Sequence, residues 1–215
     1  MSECVVLVPM LGRPESVAPL LESLARSTPD AVALFIVSEA DDDVLATTVG
    51  LRRLVVPGRD RGDYPAKINA GCRATDEPLI LLGASDIRFR AGWLEACLRE
   101  VENGAQVVGT NDLGNPRTMS GEHSTHTLIT REYAALPCLD GSPGPLFEGY
   151  WHEYCDDELV ATAKRRKVWA HAPDAHVEHL HWTWGKRERD ATDRDYLRRF
   201  RESGRTYRRR RHLWA

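Results

Sequence analysis

Residues 78–98 read PLILLGASDIRFRAGWLEACL, and an apolar run, a polar break and a second apolar pattern follow one another in this stretch. The first five residues form a continuous apolar run, which is typical of a strand covered on both faces of a sheet. The run stops at Gly83, and Ser85 and Asp86 follow. From Trp93 onward, apolar residues recur with the spacing of an amphipathic helix that ends near Gly104. The segment therefore predicts a strand and a helix, with a carboxylate where the strand ends.

The same alternation runs through the first 110 residues of the chain. Strands are predicted at residues 4–10, 33–38, 54–57, 78–82 and 105–109. One helix is predicted over residues 17–25, after Pro14, and another begins near Pro65. Alternating strands and helices predict an α/β fold, an open and mostly parallel sheet with helices on both faces.

The second half of the chain is less regular. Residues 111–150 are rich in Gly, Pro, Asn and Ser, which predicts loops with one short strand or helix near residues 127–136. A helix is predicted over residues 156–167, because acids begin it and bases end it, as the helix dipole favours. A strand is predicted at residues 168–172. We expect one domain over residues 1–185 and an Arg-rich helix or tail over residues 186–215.

The formal net charge of −3 conceals two unlike parts of the chain. Residues 186–215 contain 12 Lys and Arg residues against 5 Asp and Glu residues, whereas residues 1–185 have a net charge of −10. The five cysteines form no C-x-x-C pair, so they predict neither a zinc ribbon nor a disulfide framework. No run of about 18 apolar residues occurs, and no secretory pattern begins the chain, so we expect a cytoplasmic protein with reduced thiols and no membrane span.

Polar residues follow three of the predicted strands: Arg13 after the first, Glu39–Asp43 after the second, and Ser85 with Asp86 after the one at residues 78–82. Ligands of such sheets bind beyond the carboxyl ends of the strands, so we expect these residues to share one crevice. Asp86 suits a hard divalent cation, although a carboxylate there could equally cap the following helix. The chain contains no P-loop and no dinucleotide-type glycine pattern, so bound phosphates need a metal or basic side chains.

Two further groups of side chains could carry chemistry. In DAHVEHLHW, an extended backbone would place His179 and His181 on one face, where two imidazoles can ligate a metal. The alternative is that these histidines, with His176, cap loops or face solvent. The acids of Asp156–Glu158 begin a predicted helix, where one could serve as a general base toward an alcohol. Helix N-terminal charge is the alternative interpretation of these acids.

Several of these segments, in this order, resemble the family 2 glycosyltransferases. VVLVPMLGRP (5–14) is similar to the first strand and the loop that meets the nucleotide base, and FIVSEADDD (35–43) to the strand whose acidic end binds base and ribose. YPAKINAGCRAT (64–75) resembles the segment that lies against the donor, and PLILLGASDIRFRAGWLEACL (78–98) the metal motif with its helix. CDDELVATAKRRKVWAHAPDAHVEH (155–179) resembles the acceptor-side acidic motif with its closing His. The likeness covers roughly residues 4–181.

This resemblance implies a GT-A (nucleotide-diphospho-sugar transferase) fold and transfer of a sugar from a nucleotide-diphosphate donor, in the first instance a UDP-sugar, to an acceptor hydroxyl. It implies a metal-assisted, inverting displacement with Mn²⁺ or Mg²⁺ on Asp86 and with Asp156, or failing it Asp157, as the base; the sequence leaves a retaining outcome open. The donor-binding residues it implies are Pro9, Arg13, Glu39, Asp41, Lys67, Asn69, Ser85 and Asp86.

The metal motif departs from the family pattern. The family usually places two or three acids there, whereas Gly83 and Ser85 stand at positions that are often acidic and Asp86 alone remains. This departure gives His179 or His181 more weight as a second metal ligand. It also leaves open an enzyme whose diphosphate is neutralised by basic side chains, namely Lys67, Arg13 or Arg88.

The C-terminal 30 residues bear on the acceptor. Arginines there are mixed with aromatic residues, which suits a polyanion through phosphate contacts and base stacking, or else a docking helix. Small enzymes that resemble this chain occur in bacteriophage genomes, where some glycosylate hydroxymethylated bases in DNA in the host cytoplasm. A saccharide, a lipid-linked acceptor and a nucleic acid therefore remain open. Two other classes also remain open: a non-catalytic nucleic-acid-binding module, and a nucleotidyltransferase, whose Gly-rich loop the chain lacks.

Overall fold

The computed structural model describes residues 3–215, and its central feature is an eight-stranded mixed sheet in that range. The strands are β1 (Cys4–Pro9), β2 (Val32–Ser38), β3 (Arg53–Val56), β4 (Leu79–Leu82), β5 (Ile87–Phe89), β6 (Val107–Asn111), β7 (Thr127–Thr130) and β8 (Trp169–His179). Their order across the sheet is β3-β2-β1-β4-β7-β6-β8-β5. The five strands predicted in the first 110 residues are all present. The short β5 was not predicted.

Parallel pairing dominates one half of the sheet. Strand β1 lies between β2 and β4, and β2 pairs with β3, all in parallel. Every residue of β1 and β4 is buried, as their unbroken apolar runs predict. In the other half, β7 runs antiparallel to β4 and β6, and β5 runs antiparallel to β8. The sequence patterns predicted the parallel half but not the direction of β7.

Helices cover both faces of the sheet, as predicted. They are α1 (Val17–Ser27), α2 (Asp42–Thr47), α3 (Asp63–Arg73), α4 (Trp93–Glu102), α5 (Pro116–Met119), α6 (Arg131–Ala134), α7 (Cys155–Arg166) and α8 (Tyr196–Arg210). Leu20 of α1 and Trp93 of α4 belong to the core on one face. Ile68 of α3, Tyr133 of α6 and Leu159 of α7 belong to the core on the other. This architecture leaves the strand ends free to form a crevice.

Strand β8 is longer than predicted and carries a functional candidate to the crevice. The sequence predicts a strand only to residue 172, because Pro173 and several polar residues follow. An irregularity in the pairing with β6 between Gly109 and Asn111 accommodates this stretch, and the strand continues to His179. There it pairs with β5, which places His179 opposite Ile87.

The basic C-terminal segment packs on the rest of the chain. Arg210 of α8 makes a two-point ion pair with the buried Glu158, with Nη2 2.7 Å from Oε1 and Nε 2.8 Å from Oε2. Tyr154 lies against Phe200 and Tyr207 of the same helix. Glu158, one of the three acids at the start of α7, is therefore structural. Within residues 3–215, no helix combines the length and apolar character needed to cross a membrane.

Candidate donor and acceptor site

The ends of β1, β2 and β4 meet in one crevice. The Gly12 N–H donates to Asp41 Oδ2 at 2.8 Å, and Asp41 also caps α2 through the Val44 N–H. Arg13 adopts a left-handed backbone conformation, with φ of 58°, and its Nη1 lies 3.0 Å from Asp86 Oδ2. Residues that are far apart in sequence are thus joined in the way the strand pattern predicts.

Asp86 is a buried acid of this crevice, with 9% of its surface exposed. Its Oδ1 lies 3.4 Å from His179 Nε2, and its Oδ2 faces Arg13 and, at 3.6 Å, Arg187 Nε. Burial acts to raise the pKa of Asp86, but the hydrogen bond and charge of His179, with the charge of Arg13, hold it well below its usual range. Asp86 is followed by β5, and α4 begins only after Gly92, so the helix-cap interpretation of this acid is wrong.

Asp86 and His179 fit a divalent cation. Neighbouring ligands at the bond lengths of Mg²⁺ or Mn²⁺ are about 3 Å apart, close to the 3.4 Å between Oδ1 and Nε2. His126 lies beside them, its ring centroid 4.7 Å from that of His179. It is 2% exposed, and neither ring nitrogen has a hydrogen-bond partner among residues 3–215. A buried, unpartnered imidazole of this kind is consistent with a ligand site.

Of the two histidines predicted as ligands, His179 contacts Asp86 and His181 is its neighbour. The two rings are 5.0 Å apart. His181 Nδ1 lies 2.6 Å from Thr183 Oγ1 and caps the short 3₁₀ helix Trp182–Trp184. Burial and the charge of His179 lower the pKa of His181 to about 4, so its ring is neutral at neutral pH.

The segment after the 3₁₀ helix folds over the crevice. Asp190 accepts from Arg13 at two points, with Nε 2.7 Å from Oδ2 and Nη2 3.2 Å from Oδ1. Arg187 also donates to Asp193 at two points, with Nη1 2.6 Å from Oδ2 and Nη2 3.0 Å from Oδ1. Sequence reasoning assigned this segment to the basic tail and missed Arg187, Asp190 and Asp193 as site residues.

Two predicted donor-binding residues are buried and bind other residues of the protein. Lys67 is 1% exposed, and its Nζ donates to the Met10 carbonyl at 2.6 Å and pairs with Asp63 at 2.7 Å. Asn69 is equally buried and exchanges two hydrogen bonds with the backbone of Leu146. Lys67 thus supports the loop that carries Arg13. Direct contact of either residue with a donor stays a prediction.

The remaining donor-side candidates lie at the strand ends. Pro9 and Ser85 are buried, whereas Glu39 is exposed. The backbone N–H of Glu39 donates to the Val56 carbonyl at 3.0 Å. Arg88 lies on β5 and donates to the Ile87 carbonyl. The roles predicted for Pro9, Ser85 and Glu39 stay predictions.

The acceptor-side acids lie at the first turn of α7. Asp156 Oδ2 is 3.2 Å from His123 Nε2, and Asp157 Oδ1 is 2.9 Å from Arg117 Nη2. His123 Nδ1 also lies 3.7 Å from Asp157 Oδ1. Ligand atoms of His123, Asp156 and Asp157 lie within 4.8 Å of one another, so this cluster also meets the spacing of a metal site. Sequence reasoning missed His123.

The pKa values of the two acids are shifted in opposite directions. Burial acts to raise the pKa of Asp156, but the charge and hydrogen bond of His123 outweigh it and hold the pKa below the usual value. Burial and the charge of Asp156 raise the pKa of Asp157. Of the pair, Asp156 is therefore the acid with the lower pKa, and a carboxylate that is ionised at neutral pH is what a general base requires.

His126 connects the two parts of the site. The charges of Asp86, Asp112 and Asp156 all act to raise the pKa of His126, so acids of the donor side and of the acceptor side are within electrostatic range of one imidazole. Burial, followed by the charge of His179, lowers the pKa of His126 to about 3. The ring is therefore neutral and can accept a hydrogen bond or bind a cation.

Replacing His123 with Gln is expected to move the acid limb of the pH–kcat/KM profile to higher pH. The positive charge of His123 favours ionised Asp156, so its removal raises the pKa of that acid and the active form is lost earlier as pH falls. The measurement is kcat/KM of the catalysed reaction as a function of pH, for the unaltered protein and the variant. A lower rate with an unmoved acid limb would contradict this role and leave His123 as a packing residue.

The chain is similar to known proteins in its three-dimensional fold. No family model matches it, and no curated protein matches it. Solved structures do. The mannosyltransferase PcManGT of Pyrobaculum calidifontis, in complex with GDP-Man and Mn²⁺, is 13% identical with a TM-score of 0.61, over 82% of this chain and 56% of that one. Glucosyl-3-phosphoglycerate synthase of Mycobacterium tuberculosis, in complex with Mn²⁺, UDP and phosphoglyceric acid, is 16% identical with a TM-score of 0.62, over 95% and 77%.

The TarS structure of S. aureus is 13% identical with a TM-score of 0.59, over 82% of this chain and 36% of that one. The chain thus spans about half of the mannosyltransferase and about a third of TarS. At these identities the likeness concerns the fold. The mixed α/β architecture is the GT-A fold of glycosyltransferases, which confirms the fold expected from the sequence.

Proposed function

We propose that this protein transfers a sugar from a nucleoside-diphosphate sugar to an acceptor hydroxyl. The observation that carries the proposal is the meeting of Arg13, Asp86 and His179 at the strand ends, together with Asp156, whose pKa His123 holds below the usual value. A cation-binding pair and a guanidinium suit a diphosphate, and a carboxylate that stays ionised suits a hydroxyl proton. The shared fold supports the same conclusion.

The donor side neutralises the diphosphate. Asp86 and His179 would hold a divalent cation, Mn²⁺ or Mg²⁺, which when bound stabilises the charge of the departing diphosphate. Arg13 and Arg187 add two guanidinium groups at the same carboxylate. We assign Asp41, which fixes the loop of Gly12, to the binding of the ribose and base.

The acceptor side removes one proton. Asp156 takes it from the acceptor hydroxyl as that oxygen bonds to the anomeric carbon, while the bond from that carbon to the diphosphate breaks. The products are the glycosylated acceptor and a nucleoside diphosphate. We propose inversion at the anomeric carbon, because a separate base and a departing diphosphate suffice for one direct displacement.

The finer assignments are a hexose from a UDP-sugar and a nucleic-acid acceptor, with a hydroxymethylated DNA base as the specific candidate. The basic helix α8 beside the acceptor-side residues supports the nucleic-acid acceptor over a saccharide. The five cysteines are buried, and Cys72, Cys97, Cys138 and Cys155 carry free thiols, which suits a reducing compartment such as the cytoplasm, including that of a phage host. We retain residues 1–185 as the transferase domain and residues 186–215 as its C-terminal extension.

Calorimetric titration with UDP, GDP and TDP, with and without Mn²⁺, tests the donor site. We expect one nucleotide to bind with preference, and Mn²⁺ to tighten its binding. No binding of any of the three under either condition would contradict the proposed donor site.

Replacing Asp190 with Asn is expected to tighten binding of that nucleotide about fivefold, since a partly exposed ion pair is worth about 1 kcal/mol. Asp190 occupies Arg13 at two points, so its negative charge competes with a diphosphate for the same guanidinium. Asn retains the oxygen that caps the next turn. The matched control is Asp195→Asn, an exposed acid that pairs with Arg198, and it should leave affinity unchanged. Weaker binding by Asp190→Asn would show that Asp190 orders the segment instead of competing.

A further inference from the structure

Helix α8 presents a continuous row of arginines to solvent. We call Arg198, Arg201, Arg205, Arg208 and Arg209 the basic face, and all five are exposed. At 100° per residue they fall within about 100° of the helix circumference, and they extend for about 17 Å along its axis. The exposed Arg194 precedes them on the same side.

Most of this charge has no partner within the protein. The guanidinium groups of Arg201, Arg205 and Arg208 form no ion pair or hydrogen bond with any of residues 3–215, whereas Arg198 pairs with Asp195. The arginines on the opposite side of the helix do form ion pairs within the protein. Arg199 pairs with Glu153 and Arg210 with Glu158. Charges that hold the helix in place are thus separate from those that remain available.

The composition of the basic face identifies the kind of anion. Each of its cations is an arginine, and the planar guanidinium binds phosphate at two points, unlike the point charge of lysine. A row of arginines along one helix is a typical electrostatic footprint of a nucleic-acid partner. We propose that the basic face binds the phosphate backbone of a nucleic acid.

The packing of α8 argues against a membrane surface as the partner. A helix that lies on a membrane buries a broad apolar side in the lipid. Here that side already contacts the protein: Tyr207 and Phe200 pack on Tyr154. Two large apolar side chains of α8 remain accessible to solvent. They are Leu197, which is 58% exposed, and Phe200, which is 40% exposed in spite of its contact with Tyr154. Electrostatic attachment to a polymer fits this surface better than insertion.

The helix that carries the basic face packs, through its other side, on the acceptor side of the site. Tyr196, where α8 begins, packs against Trp182 and His181. Further along, the helix covers Tyr154, two residues before Asp156. A nucleic acid bound along the basic face would therefore lie on the outer side of the helix whose inner side covers the segment that leads to the acceptor-side acids. Its role as acceptor rests on the proposed function, but its binding does not.

The test is fluorescence anisotropy with labelled single- and double-stranded DNA of about 20 nucleotides or base pairs, in the absence of donor, over a range of NaCl concentrations. The variant is Arg201→Gln, Arg205→Gln and Arg208→Gln combined, which retains helix-forming residues. Each lost duplex-phosphate contact changes the slope of log K against log salt by about 0.9, so we expect a slope shallower by about 2 to 3 and affinity at least about tenfold weaker. The single variant Arg205→Glu should weaken binding in the same direction.

The matched control removes the same charge elsewhere: Arg26→Gln, Arg73→Gln and Arg165→Gln combined, three exposed arginines on other helices. It should leave the slope unchanged. No DNA binding by the unaltered protein, an equal loss in both triple variants, or Arg-dependent binding to phosphatidylserine vesicles but not to DNA would overturn the proposal. Because the nucleotide-sugar donor is absent from this test, its result does not depend on whether the protein transfers a sugar.

Discussion

Replacing Asp156 with Asn is expected to lower the rate of sugar transfer about 10²- to 10⁴-fold and to leave nucleotide binding unchanged. Asn preserves the size of the side chain and can still contact His123, but it cannot take the proton of the acceptor hydroxyl. The carboxylate is held ionised by His123, 3.2 Å away, so the charge that is lost is the one that the reaction uses. The measurements are transfer to acceptor and calorimetric affinity for the nucleotide.

Asp157→Asn is the matched comparison, because it removes a carboxylate from the adjacent residue of the same helix turn. Asp157 pairs with Arg117 and has a raised pKa, so its loss should reduce transfer far less than that of Asp156. A larger loss in Asp157→Asn would exchange the two assignments. Loss of nucleotide affinity in Asp156→Asn would move Asp156 to the donor side.

Replacing Asp86 with Asn is expected to remove the effect of Mn²⁺ on nucleotide affinity and to lower transfer about 10²- to 10³-fold, the range for losing one preorganised electrostatic group. Asp86 supplies the carboxylate that faces His179, and Arg13 and Arg187 meet at its other oxygen. The measurements are nucleotide titrations with and without Mn²⁺ and the transfer rate.

Ser85→Ala is the control for Asp86→Asn, since it alters the preceding buried position without removing a carboxylate. It should retain the Mn²⁺ effect. Full transfer by Asp86→Asn would show that the arginines alone neutralise the diphosphate. In that case, the transfer rate should fall in the variant Arg13→Ala instead.

The sheet could be predicted where the relevant pattern is local. The apolar runs at residues 4–10 and 78–82 predicted β1 and β4, because a strand buried on both faces must be apolar throughout. Strand β8 could be predicted only in part. Beyond Pro173 its inward positions are Ala175, Val177 and His179, and the exposed pair Pro173 and Asp174 separates this alternation from the apolar start of the strand.

The site was predicted where it depends on strand ends and missed where it depends on distant contacts. Arg13, Asp41 and Asp86 follow strands, so topology alone brings them together. His123 reaches Asp156 across 33 residues, through a loop whose path no periodicity encodes. Asp190 appeared in the sequence only as one charge of a basic tail, and its contact with Arg13 spans 177 residues.

Release of nucleoside diphosphate from a panel of UDP-, GDP- and TDP-sugars with Mn²⁺ tests the central proposal most directly. A set of saccharide acceptors and DNA containing hydroxymethylated bases would be supplied in turn, beside Asp156→Asn as the inactive reference. We predict acceptor-dependent release from at least one donor and its loss in the variant. No release and no thermal shift with any donor would contradict the transferase assignment, and salt-sensitive DNA binding alone would then indicate a non-catalytic nucleic-acid-binding protein.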